Sequence, residues 1–62
     1  VGLFSKTDSE RLERLDTKAE NAFLRGRPGK GMRLAAENER LRISLENRTG
    51  RPWTSWGRPA DD

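Results

Sequence analysis

The sequence predicts an all-α fold: a small two-helix hairpin, with helices over about residues 7–25 and 32–48 and an extended tail carrying Gly-Arg-Pro triplets and tryptophans. Three observations predict it. Leu12, Leu15, Ala19, Ala22 and Phe23 recur at helical spacing on one face. A cluster of glycine and proline interrupts the chain after Arg25. The stretch Ala35-Ala36-Glu37-Asn38-Glu39-Arg40-Leu41-Arg42 is made largely of good helix formers. The chain thus divides into an N-terminal arm (1–6), a helical hairpin (7–48) with a basic connector at 25–33, and a tail (49–62).

The first helix is expected to start at Thr7-Asp8-Ser9-Glu10, where Thr7 and Glu10 have the spacing of a capping box. Its apolar stripe is narrow and alanine-rich, which suits close packing against another helix, and Glu10 and Arg14 can pair on the opposite side. Gly26 is expected to cap its C-terminus. Pro28 forbids continuation, so the break is expected to extend to about Gly31.

The second helix is expected from about Met32 to Asn47 or Arg48, with Arg33–Glu37 and Arg42–Glu46 pairs four residues apart. Placing Leu34 and Leu41 at heptad position d puts Asn38 and Leu45 at position a, and a lone Asn at a specifies register and two-strandedness in a coiled coil. Glu37 and Arg42 then fall at g and e. About two heptads cannot hold two chains alone, so two arrangements stay open: a homodimer pairing this seam in a four-helix arrangement, or a helix folded back on the first with Asn38 at its margin. A bent helix pair without closure is the remaining alternative.

The tail, Arg51-Pro52-Trp53-Thr54-Ser55-Trp56-Gly57-Arg58-Pro59, holds both tryptophans of the chain. Trp53 and Trp56 could stack on unpaired bases while Arg51 and Arg58 meet phosphates. They could equally fill a pocket on a protein partner, or fold over Leu41 and Leu45 and complete the chain's own core.

Composition limits the chemistry. The 62 residues include no cysteine and no histidine, which removes disulfides, thiol nucleophiles, common zinc sites and the usual general base. We expect no enzyme activity, no catalytic residues, no metal and no cofactor. No apolar run is long enough to span a bilayer, and Val1-Gly2-Leu3-Phe4 is too short for a signal peptide, so the expected location is cytoplasmic, associated with a nucleoid or an assembly. Gly2 suggests myristoylation, but Lys6 stands where that signal needs Ser or Thr. Gly26 to Gly31 is glycine-rich with a lysine, yet it lacks the Gly-Lys-Ser/Thr ending of a nucleotide-binding loop. A chain this short rarely gains more than about 3–5 kcal/mol from its core, and 37% charged against 31% hydrophobic residues points to stabilisation by a partner.

The net charge of +3 is unevenly spread. Residues 1–24 carry four basic and five acidic side chains, and 34–47 carry two against three, whereas 25–33 hold Arg25, Arg27, Lys30 and Arg33 with no acid. Every proline belongs to one of three Gly-Arg-Pro triplets, at 26–28, 50–52 and 57–59. The first sits in Arg25-Gly26-Arg27-Pro28-Gly29-Lys30, which resembles the core of an AT-hook, a DNA minor-groove element. The match covers about six residues and lacks the hook's usual flanking basic residues, since Leu24 precedes it and Gly31 follows; Thr49 and Trp56 precede the other two copies. The resemblance implies arginines inserted in a narrow A·T-rich groove, reading shape more than sequence.

The expected function is non-enzymatic nucleic-acid binding, with DNA favoured over RNA, through Arg25, Arg27, Lys30 and Arg33, aided by Arg51 and Arg58. The alternative is a structural or adaptor subunit docking into a larger assembly such as a ribosome, a phage particle or a multi-subunit enzyme. Its partner-binding residues would be Trp53, Trp56, Leu34, Asn38, Leu41 and Leu45.

Overall fold

The computed structural model describes residues 6–60, with side chains from Asp8 onward. Residues 1–5 of the N-terminal arm and the Thr7 hydroxyl of the expected capping box fall outside these, while Lys6, expected in the arm, opens the first helix. Two helices, α1 (Lys6–Leu24) and α2 (Pro28–Thr49), fold back on each other as a closed antiparallel hairpin in a body measuring 39 × 18 × 16 Å. Leu12 near the start of α1 therefore meets Leu45 near the end of α2, and Asp8 accepts a hydrogen bond from Arg48 at 3.2 Å.

Only Arg25, Gly26 and Arg27 lie between the helices. Gly26 takes φ +75°, which a side chain would resist, and its N–H donates to the Phe23 carbonyl at 3.1 Å while the Arg27 N–H reaches back to Ala22 at 2.8 Å. That pair of bonds is the Schellman motif, and it satisfies carbonyls the helix end would leave bare. The break expected to reach Gly31 is shorter because Pro28 opens α2 instead of merely ending α1. Its ring presets the helical φ, and its missing N–H is one the first turn cannot use. The Gly31 N–H makes an α2 bond to Arg27 at 3.0 Å. Glycine is tolerated at 31 because the Phe23 ring lies over it, where a Cβ would come within 2.9 Å of ring carbons.

The core is small. Leu12 and Leu45 are fully buried, Trp53 is 4% exposed, and Leu41 packs against the three. Ala19 and Ala22 bury the narrow face of α1, and Leu15 is half-buried. Phe23, expected on that stripe, is instead 47% exposed, since it sits at the hinge where α2 presents only Gly31 beneath it.

Residues 50–60 are not extended. The Gly50 N–H closes α2 on the Glu46 carbonyl at 2.8 Å, and the chain then turns back over the helix ends. Trp53 and Pro59 form an antiparallel bridge, reinforced by Ala60 N–H to Pro52 at 2.9 Å and Thr54 N–H to Arg58 at 2.8 Å. This turn is anchored from both helices. The Trp53 N–H donates to Glu46 Oε2 at 2.9 Å, and the indole Nε1 donates to Thr49 Oγ1 at 3.0 Å. Arg42 holds the same Glu46 carboxylate at 3.0 Å, realising one of the expected helix pairs. From α1, the Ser9 hydroxyl donates to the Gly57 carbonyl.

Asn38 and Leu45, the expected dimer-seam positions, are both buried inside the hairpin. Asn38 Nδ2 donates to the Leu12 carbonyl at 2.8 Å and to the Ser55 carbonyl at 2.9 Å, tying α1, α2 and the tail together. Within the chain, this face of α2 packs on α1 and the tail.

Gly57 has φ +86°, and a Cβ there would run into the Ser9 backbone carbonyl. Gly57→Ala is therefore expected to destabilise the fold by about 1–3 kcal/mol, read as a lowered thermal midpoint. Gly50→Ala shares the positive φ but meets open space. It should cost less, and equal losses in the two variants would show that the Ser9 contact contributes nothing.

Candidate nucleic-acid interface

The hinge geometry gathers positive charge. Because Pro28 starts α2 directly after the turn, Lys30 rides on the first turn of that helix, and the Schellman turn holds Arg25 and Arg27 beside it. Together with Lys18 and Asn21 from α1 they line one cleft, whose floor is Ala22 and Leu34. Among the described residues no carboxylate lines it. Lys18, Arg25, Arg27 and Lys30 are all exposed, and none forms an ion pair with a carboxylate among the described residues. Four uncompensated cations around a concave surface attract an anion, and apolar walls strengthen the field there.

The sequence-predicted residues separate into groups. Arg25, Arg27 and Lys30 converge, whereas Arg33 is exposed on α2 outside the cleft. Leu34 is half-buried in the cleft floor. Arg51 and Arg58 are exposed on the tail turn at the end of the hairpin opposite the hinge, so they do not join the same site. Arg58 shares a hollow with Ser9, Glu10 and Glu13. Trp53, Asn38, Leu41 and Leu45 serve the chain's own packing and hydrogen bonding. Trp56 alone of the tryptophans is accessible, at 55% exposure.

Lys18 was missed by a reading that looked for charge in the connector. It lies seven residues before Arg25, two helical turns away on the same face, and that spacing is the signal that could have found it.

The opposite side of the hairpin is different in kind. An open groove there has a floor of Ala19, Ala35 and Ala36, with Phe23 and Met32 at its hinge end and Ser55 of the tail turn at the other. Asp16 and Glu39 stand along it, and Arg42 beside them is engaged by Glu39 at 3.5 Å and Glu46 at 3.0 Å. Met32 is 66% exposed.

Among the described residues, no group of three or more His, Cys, Asp or Glu side chains comes together to hold a metal ion, and no helix is long and apolar enough to cross a membrane. No family model, curated protein or solved structure matches this chain.

Proposed function

We propose that this is a small, non-enzymatic nucleic-acid-binding protein whose hinge cleft grips a phosphate backbone through Arg25, Arg27, Lys30 and Lys18, with Arg33 close by on α2. The observation that carries the reading is the cleft itself, lined by cations from both helices and by no acid. DNA is the favoured ligand, in a cytoplasmic, nucleoid-associated setting. Phosphate contact asks nothing of the fold, because the exposed side chains already project from an ordered turn. Insertion in a minor groove as an AT-hook would ask more. The Arg25-Gly26-Arg27 backbone would have to give up its bonds to Asn21, Phe23 and Ala22 to lie extended.

The test is a salt titration of Arg25→Ala with Arg27→Ala against the parent chain. Each lost phosphate contact removes about 0.9 from the slope of log K against log salt, so the pair should lower the slope by roughly 2 and weaken binding several-fold. An unchanged slope would remove the cleft from the interface. A·T preference persisting near physiological salt would show that the turn opens into a hook.

The groove on the opposite side favours a second reading, an adaptor docking into a larger assembly. A basic amphipathic helix of a partner protein fits it by charge. Its apolar stripe would cover Phe23, Met32 and the alanine floor while a cation meets Asp16, Glu39 being shared with Arg42 of the same groove. A parent chain that binds no nucleic acid at low salt would leave this reading in place of the first.

A further inference from the structure

We infer that the basic surface continues beyond the hinge along α1, through Lys18, Arg14 and Arg11, and that its ligand is the backbone of a double helix held without regard to base sequence. This rests on the nucleic-acid reading above and adds to it both residues and the strandedness of the ligand.

Arg11, Arg14 and Lys18 follow one another at intervals of three and four residues on a single stripe of α1, and Arg25, seven residues further on in the turn, continues its line. At 1.5 Å per residue the line from Arg11 to Arg25 runs about 21 Å, the length of roughly six base-pair steps of a duplex. The tertiary structure adds the other helix to it. Arg11, Arg14 and Lys18 line a hollow with Leu15 and Glu37 of α2, and Lys18 also lines the hinge cleft, so the two hollows are continuous through that lysine. All these cations are exposed, and none forms an ion pair among the described residues. One acid, Glu37 from α2, lines the hollow against three cations, and Glu10 and Glu13 share a separate hollow with Arg14 and Lys18 on the outer side of α1.

Strandedness follows from what this surface lacks. Binding of single strands relies on aromatic platforms on which bases stack. Among the described residues, no aromatic side chain lines either basic hollow. Phe23 faces the groove on the other side, Trp53 is buried in the core, and Trp56 belongs to the tail turn far from the hinge. A straight, rigid row of charges without stacking groups suits a ligand whose bases are already stacked inside a duplex and whose phosphates lie on a regular helix.

The experiment compares the full chain with Arg11→Gln/Arg14→Gln/Lys18→Gln, using DNA duplex, RNA duplex and single-stranded DNA of equal length over about 50–200 mM salt. Six phosphate contacts from Arg11, Arg14, Lys18, Arg25, Arg27 and Lys30 give a slope of about −5 on duplex, equivalent to a loss of roughly a thousandfold across that range. The triple variant should roughly halve the slope while circular dichroism shows unchanged helix, since these side chains hold no other part of the fold. The two duplex arms identify which double helix is preferred. A triple variant with the parent slope, alongside a weakened Arg25→Ala/Arg27→Ala, would confine contact to the hinge and overturn this inference alone. Tighter binding to single strands would overturn the assignment of a duplex. A parent chain that binds none of the three would overturn the nucleic-acid reading together with it.

Discussion

Trp53→Ala is expected to unfold the protein. The indole is one of three large side chains that make up the core cluster, with Leu12 and Leu45, and only the half-buried Leu41 packs against them. Truncating a buried tryptophan costs about 3–5 kcal/mol, which equals what a core of this size supplies in total. The loss extends past burial, because the indole Nε1 also donates to Thr49 Oγ1 at 3.0 Å, a bond alanine cannot make. The far-ultraviolet dichroism of Trp53→Ala should therefore fall toward that of a weakly helical peptide. Helices of this length are marginal in water without a partner surface. Trp56→Ala, at a position 55% exposed, is the matched control and should melt like the parent. A folded Trp53→Ala would mean that the two helices hold each other without the tail.

Asn38→Leu should destabilise the fold without changing its oligomeric state. The amide donates to two carbonyls on different parts of the chain, and a leucine satisfies neither while needing room beside the Leu12 backbone. Breaking buried hydrogen bonds of this kind costs about 1–3 kcal/mol. The direction of the effect discriminates between two physical situations. Were Asn38 the register-setting residue of an intermolecular seam, leucine would strengthen the assembly and make the melting temperature rise with protein concentration. With Asn38 turned inward, the midpoint should drop and stay independent of concentration. A midpoint that rises after the substitution would contradict the bonds to Leu12 and Ser55.

Much of the hairpin was legible because its signals are local. The spacing of Leu12, Ala19 and Ala22 marks one face of a helix whatever surrounds it, and Gly26 was identifiable as a cap because few other residues accept that backbone geometry. The start of α2 was misplaced by four residues for an equally local reason. Proline is compatible both with ending one helix and with opening the next, and the choice depends on whether the following turn finds something to pack on. Here Phe23 over Gly31 supplies that contact.

The tail and the site were less legible because they are made by residues distant in the chain. The pairing of Ser9 with Gly57 and of Asn38 with both Leu12 and Ser55 spans separations that no periodicity encodes. The spacing of Lys18 and Arg25 puts them on one side of α1, but the packing of α1 on α2 brings Lys30 and Leu34 to the same cleft.

Two amphipathic helices joined at a basic turn, without the residue types for thiol, imidazole or disulfide chemistry, are already written in the order of the amino acids. These are properties of composition and of neighbours within a few residues. The tertiary structure alone decided which apolar residues became core, that Asn38 serves its own chain, that the tail closes over the helix ends, and that one face is basic and the opposite one an apolar groove with acidic rims. Helix periodicity states which residues share a face, but the rotation of one helix against another is set by the packing of Leu12, Leu45 and Trp53 and by the hydrogen bonds that must be satisfied around them.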